Sequence, residues 1–429
     1  MTDPASLSWR APRARRPVEA SVVVPASKSL MARALVLASL ADKPTTLHRP
    51  LVARDSLLMA DALRALGARV HAGDDDPWVV EPGWSTGAGR AATIDCGLSG
   101  TVMRFVPPLA ALTSIDVRFD GDPRAQQRPM TGLLSALTNL GVQISPDGAS
   151  GLPFTVRASG SVAGGPVRID ARESSQYVSG LLLAGCRFTR GLALDAIGVP
   201  PSTPHIAMTL ACLRDRGVDA RATSPTSWQV PVAVPTGGDV RIEPDLSNAA
   251  PFLAAALVTG GRVHVNGWPA RTTQPGPLLL DLLCRFGASV QVAENGVTVT
   301  GPDSLAGLGT VDLSDVGELV PTIAAVAALA EEPTTITGVA HLRGHETDRL
   351  SALARALTAL GSRAKSTPDG ISISPAHLHG ATVASEGDHR MATFAAILGL
   401  VVDGVVVDDV TVTTKTMPDF PRLWQDMLR

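Results

Sequence analysis

The sequence predicts an α/β (α+β) fold of two similar halves, each made of three repeated units of mixed sheet covered by helices. Three observations lead there. The first is a recurring phrase in which an apolar helix ends in glycine and runs straight into a strand: Ala62 to Val70, Ala136 to Ile144, Cys212 to Ala220, Leu282 to Val290 and Ala356 to Ala364. Its glycines fall at 67, 141, 217, 287 and 361, which by subtraction stand 74, 76, 70 and 74 residues apart. That spacing is too long for the common solenoid modules and too short for large independent domains. Glycine is there for a physical reason, since it supplies the left-handed residue that stops a helix and turns the chain. The second observation is the alternating segments between these phrases, such as Val117-Arg118-Phe119, Val167-Arg168-Ile169-Asp170 and Val240-Arg241-Ile242, which read as half-buried strands. The third is composition: 429 residues, 45% hydrophobic but only 3% aromatic, suffice for two or more cores built of Ala, Val, Leu and Ile.

Charge and cysteine usage narrow the class. A formal net charge of −3 argues against a nucleic-acid binder, which carries a basic face. Four cysteines, Cys96, Cys186, Cys212 and Cys284, are spread singly without paired ligand spacing and read as buried thiols of a reducing compartment. No apolar run has the length of a transmembrane helix, and the Arg-rich start at Arg10 to Arg16 lacks a following signal-peptide core. The expected location is the cytoplasm.

Taken in order, the elements carry one kind of chemistry. Strand-like Ala20 to Val24 leads into Pro25-Ala-Ser-Lys-Ser-Leu-Met-Ala-Arg33, where Lys28, Ser29 and Arg33 surround a helix start. This is an oxyanion arrangement or a Ser-capped helix with solvated charges, and it is not a Walker P-loop, whose Gly-rich lead is missing. Ala91 to Cys96 reads as a buried strand, and Gly97-Leu-Ser-Gly-Thr101 is a turn that opens an apolar helix with Arg104 in its first turn. Unpaired N–H groups at such a start lie at the positive end of the helix dipole and welcome a phosphate or carboxylate. Arg124 and Arg128 lie in the loop before the helix Met130 to Leu140, with Arg128 held against Pro129. Glu173-Ser-Ser-Gln-Tyr-Val-Ser179 opens another apolar helix, with Ser174 or Ser175 as cap or phosphate ligand, and Pro200 to His205 offers Ser202 similarly. The Pro- and Gly-rich passage Val230 to Gly238 is the best internal boundary, and a second crossing falls near Val22 to Pro25. The residues alone leave open which half the first strand joins.

In the second half, Asp312 to Pro321 supplies Glu318 beside small apolar residues, a base if buried and a surface charge if not. His341-Leu-Arg-Gly-His-Glu-Thr-Asp-Arg349 concentrates two histidines, two carboxylates and two arginines. His341 and His345 stand four apart, but Gly344 and the strand-like lead argue against a helical zinc pair, so no metal is expected. Asp388-His-Arg390 precedes the apolar helix Met391 to Leu400, and Lys415 lies in Thr413 to Phe420; each of these charges is singly a cap, a surface group or a ligand. The sixth unit would span Asp388 to Gly404.

With these clusters in this order, the chain from about Pro25 to Pro421 resembles the enolpyruvyl transferase family, in its 3-phosphoshikimate 1-carboxyvinyltransferase (enolpyruvyl-shikimate-phosphate synthase) branch. The resemblance rests on Ser-Lys-Ser with Arg33, the Ser-Gly-Thr-Val-Met-Arg turn, Arg-Pro, Ser-Ser-Gln, Glu-Thr-Asp-Arg, Asp-His-Arg-Met and Lys-Thr. It implies two domains, each of three βαβαββ units in an inside-out α/β barrel, with the active site in the cleft that closes between them. The domains would be 24–238 and a discontinuous 1–23 plus 239–429. The implied reaction moves the enolpyruvyl group of phosphoenolpyruvate to the 5-hydroxyl of shikimate 3-phosphate, with no metal or other cofactor and no nucleic-acid or membrane partner, in a monomer. By position, Lys28 would bridge both substrates, and Ser29 and Arg33 would hold the shikimate carboxylate. Ser174, Ser175 and Ser202 would take its phosphate, Gln176 would pack on its ring, and His341 and His345 would lie beside it. The backbone at Gly100 with Arg128, Gln176, Arg349, Arg390 and Lys415 would clamp phosphoenolpyruvate. Glu318 would deprotonate the 5-hydroxyl and Glu346 would protonate the methylene carbon.

Two departures stand out. Leu98 replaces a frequent Asn, and His345 replaces a frequent Lys, which makes that charge depend on pH. Gly100 implies inhibition by glyphosate, the phosphoenolpyruvate-site inhibitor, although Phe105 stands where Pro is frequent. Three rivals differ in simple ways. The sister transferase for UDP-N-acetylglucosamine carries a reactive Cys in the loop that here reads Pro123 to Pro129 and has none. A non-catalytic repeat protein would show no ligand-induced closure, and an RNA-terminal phosphate cyclase would be more basic.

Overall fold

The computed structural model describes residues 7–73, 77–84, 91–147 and 151–429. By its contacts the chain divides into two compact units, Ala26–Ile242 and a discontinuous one of the segment ending at Pro25 with Glu243–Arg429. The break falls at 242/243 rather than 238/239 because Gly238–Arg241 pairs in parallel with Thr45–His48 and completes a sheet of the first unit. In the same way Glu19–Val22 pairs in parallel with Arg262–Asn266 and belongs to the second unit.

One motif builds both. Ala91–Asp95, the helix Gly100–Ala110, Asp116–Asp120, the helix Thr131–Asn139 and the hairpin Gln143–Pro146 with Phe154–Arg157 make a four-stranded sheet, parallel between its first two strands and antiparallel in the hairpin. Residues 165–230 and 309–374 repeat it. Two more four-stranded sheets are completed by the strands at the crossings, Gly238–Arg241 and Glu19–Val22. The sixth is abbreviated to three short strands, Trp9–Arg10, Val406–Val407 and Thr382–Val383, so Arg10 of the Arg-rich start is part of a sheet. The five repeat glycines all have positive φ, between 78° and 111°, as a helix stop requires.

The layers are the reverse of sheets covered by helices. Every residue of Gly100–Ala110 and of Val320–Ala327 is buried, as are ten of the eleven in Ser175–Gly185 and in His389–Gly399. A helix with no polar face has to be interior. The strands form the outer layer, and Gly165–Asp170 alternates between buried and open positions along its length. Small residues let the interior helices approach: a Cβ on Gly180 would lie 2.2 Å from the Arg104 carbonyl oxygen. Each unit has its own apolar core. Cys96 and Cys186 are buried, but Cys212 is half-buried and Cys284 is exposed at the end of the helix Gly276–Arg285, because the latter two lie on helices with one face toward solvent. No helix among the described residues is long and apolar enough to cross a membrane.

Candidate active site

In the first unit the interior helices differ at their N-termini, for Lys28–Ser39 and Ser175–Gly185 are capped by a serine side chain and Gly100–Ala110 is not. Ser99 precedes Gly100–Ala110 without capping it, its hydroxyl lying instead 3.1 Å from that of Thr101. The first-turn N–H groups therefore lack a side-chain cap. A Cβ on Gly100 would stand 2.9 Å from both Arg104 Nη1 and Arg128 Nη2 and 3.0 Å from Gln176 Oε1, so two guanidiniums and an amide converge on this helix start. Arg128 is 7% exposed, donates to the Leu98 carbonyl at 3.2 Å, and keeps a buried Nε with no hydrogen-bond partner. Arg104 donates to the carbonyls of Gly100 and Pro129. Two buried cations side by side repel each other unless an anion lies between them.

A second group surrounds Arg33. Its guanidinium, 2% exposed, donates to Thr209 Oγ1, Ser179 Oγ and the carbonyls of Ser29 and His205, and lies over the Phe105 ring. All these acceptors are neutral, and burial pulls its pKa down to about 10. Ser202, at the start of the same helix as His205, sits in the left-handed region at φ 53° with no capping bond, a strained conformation for a serine. Ser174 caps Ser175–Gly185 by accepting from Gln176 N, so the cap reading holds for it. Lys28 Nζ lies 3.5 Å from the buried Asp55 carboxylate.

In the second unit Arg349, 2% exposed, donates through Nε to Asp388 Oδ2 at 2.9 Å and through Nη2 to Glu346 Oε2 at 3.2 Å. Burial, the largest influence, acts to lower its pKa, but the Asp388 and Glu346 carboxylates outweigh it and the net direction is upward. Glu346 also accepts from Lys415 Nζ, so one carboxylate joins two cations. Arg349 Nη1 donates to His345 Nδ1 at 3.3 Å. Arg390 differs: burial and then the Arg349 charge push its pKa down, and its guanidinium donates to Ser247 Oγ at 2.9 Å rather than to a carboxylate. Glu318 sits half-buried in the turn Gly317–Leu319, where its charge acts on His341, Arg349 and Arg390. His341 Nε2 is buried without a hydrogen-bond partner, and burial lowers its pKa. Among the described residues no group of His, Cys, Asp or Glu is arranged to hold a metal ion.

The family model for EPSP synthase (3-phosphoshikimate 1-carboxyvinyltransferase) matches residues 12–424. A 3-phosphoshikimate 1-carboxyvinyltransferase of Kocuria rhizophila is 52% identical over 430 residues, covering 98% of this chain and 96% of the relative. The chain belongs to the EPSP synthase family. The fold agrees: EPSP synthase from Acinetobacter baumannii superposes with a TM-score of 0.80 at 23% identity over 98% of each chain. The enolpyruvyl transferase NikO of Streptomyces tendae does so at 0.76 and 18% identity, over 97% of this chain and 96% of that one.

Of the residues expected from sequence in this EPSP synthase family member, the structure brings Gly100, Arg128 and Gln176 together in the first unit, and His345, Glu346, Arg349 and Lys415 in the second. Arg33 reaches the carbonyl of Ser29 rather than its hydroxyl. Sequence reasoning missed Asp55, buried opposite Lys28, and Ser247, the acceptor of Arg390. Asp55 follows Arg54 at an ordinary helix start, so nothing local marks it. Ser247 was visible as part of Asp245-Leu-Ser-Asn248, a capping sequence before an apolar helix.

Proposed function

We propose that this chain transfers the enolpyruvyl group of phosphoenolpyruvate to the 5-hydroxyl of shikimate 3-phosphate, releasing phosphate. The observation that carries the reading is the convergence of Arg104 and Arg128 on the uncapped helix start at Gly100, a site that calls for a small, highly charged anion. In this reading the Gly100 backbone, Arg128, Arg349, Arg390 and Lys415 hold phosphoenolpyruvate, with Arg104 behind Gly100. Ser29 and Arg33 take the shikimate carboxylate, Ser174, Ser175 and Ser202 its phosphate, Gln176 its ring, and Lys28 both substrates. His341 and His345 border the acceptor. We place the enzyme in the cytoplasm as a monomer, its free thiols suiting a reducing compartment.

The chemistry follows from the acid–base groups. Glu318 accepts the proton of the 5-hydroxyl as its oxygen bonds to C2 of phosphoenolpyruvate, and C3 gains a proton, giving a tetrahedral adduct. Glu346 delivers the C3 proton; its hydrogen bond to the Lys415 ammonium gives it a proton source. The adduct then loses phosphate from C2 as one of the three C3 protons returns to the Glu346 carboxylate, restoring the vinyl group. The clustered cations stabilise the charge on the departing phosphate. A reaction run in deuterium oxide tests this sequence. Deuterium in the vinyl methylene of a product formed from shikimate 3-phosphate is expected, because C3 gains a solvent-derived deuteron in the addition and loses one of its three hydrogens in the elimination. Product free of deuterium would rule out the addition–elimination route, and product formed only with UDP-N-acetylglucosamine would overturn the choice of acceptor.

A further inference from the structure

Arg390 differs from Arg349 and Lys415, which donate to carboxylates, because its guanidinium donates to a hydroxyl. Ser247 Oγ takes the bond from Arg390 Nη2 at 2.9 Å and donates its own proton to Asp245 Oδ1 at 2.6 Å. The hydroxyl hydrogen is thereby committed, and its lone pair is turned toward Arg390. Asp245 is itself fixed on several sides. It is 6% exposed, its Oδ1 also accepts from Ser247 N and Asn248 N, and its own N–H donates to the Pro25 carbonyl. Gln274 pins the same turn, accepting from Leu246 N and donating to the Pro244 carbonyl. The helix start Leu246–Thr259 is therefore a rigid base from which one oxygen reaches a half-buried guanidinium.

We propose that Ser247, oriented by Asp245, is a positioning residue that sets the Arg390 guanidinium for phosphoenolpyruvate; this rests on the reading of Arg390 given above. Arg390 has a flexible side chain, its backbone N–H is occupied by the Asp388 cap, and the nearby Arg349 charge repels it. With Ser247 removed, the guanidinium loses its hydrogen-bonded stop and samples positions that do not meet the substrate. Ser247 is half-buried, and a threonine in its place keeps the hydroxyl.

The test is steady-state kinetics of the full chain carrying Ser247→Ala or Ser247→Thr, with each substrate varied in turn. Ser247→Ala is expected to raise KM for phosphoenolpyruvate about tenfold, with KM for shikimate 3-phosphate unchanged and kcat reduced less. Ser247→Thr is expected to restore most of that loss. Unchanged constants in Ser247→Ala would overturn the proposal, as would a parallel rise in both KM values that Ser247→Thr does not rescue, which is the pattern of a merely structural role. Failure of the functional reading is separate, because the unsubstituted chain would then show no turnover of this pair of substrates.

Discussion

At Gly100 a single missing methyl group decides what the helix start can hold. An added Cβ would meet two arginine nitrogens at 2.9 Å, so the guanidinium ends that converge on this helix start would have to shift. Gly100→Ala is therefore expected to raise KM for phosphoenolpyruvate and to weaken inhibition by glyphosate by about tenfold or more, read from inhibition curves at fixed substrate. A variant as sensitive as the parent would show that the inhibitor does not use this helix start. His341 gives a pH dependence of defined sign. Burial lowers its pKa below 6.5, so below that value the unfolded chain binds the extra proton and the folded chain does not. Stability contributed by neutral His341 is present above the unfolded pKa and is lost as pH falls through the folded one. Tm should fall between about pH 7 and pH 5, and His341→Asn should flatten that slope. The charged residues of the site were legible one by one in the sequence, because Lys, Arg and Ser at apolar helix starts are conspicuous. Their partners were not, since Arg390 and Ser247 lie 143 residues apart and no local pattern joins them.

Helix starts are the elements that carry the site, and their caps differ by design. Ser99 leaves its helix uncapped, whereas Asp388 caps His389–Gly399 through Arg390 N and also neutralises Arg349. Asp388→Asn keeps a capping side chain but removes the charge facing a buried arginine. It should destabilise the chain by about 3–5 kcal/mol in urea unfolding, the range for breaking a buried ion pair. A loss under about 1 kcal/mol would mean that Glu346 alone satisfies Arg349. The sequence indicated these helices through their apolar runs and Ser, Asp or Gly starts. It did not show that they are interior, because an apolar helix covering a sheet and one surrounded by sheets have the same composition. The family resemblance did imply it, through the inside-out barrel, and the full burial of Val320–Ala327 agrees.

The repeat of 70 to 76 residues made the six-part organisation of the whole molecule readable before any coordinate, because the helix-stopping glycine is a fixed requirement of each unit. The pairing of Gly238–Arg241 and Glu19–Val22 was beyond the sequence, since a four-residue strand carries no mark of its partner. Each unit carries buried arginines at helix starts, and the proposed chemistry needs two anions at once. The most direct measurement is phosphate release from phosphoenolpyruvate, with and without shikimate 3-phosphate, in the presence of a chelator. Release is expected only when both substrates are present, at a rate the chelator does not change. Release from phosphoenolpyruvate alone, or none with both, would contradict the proposed transfer.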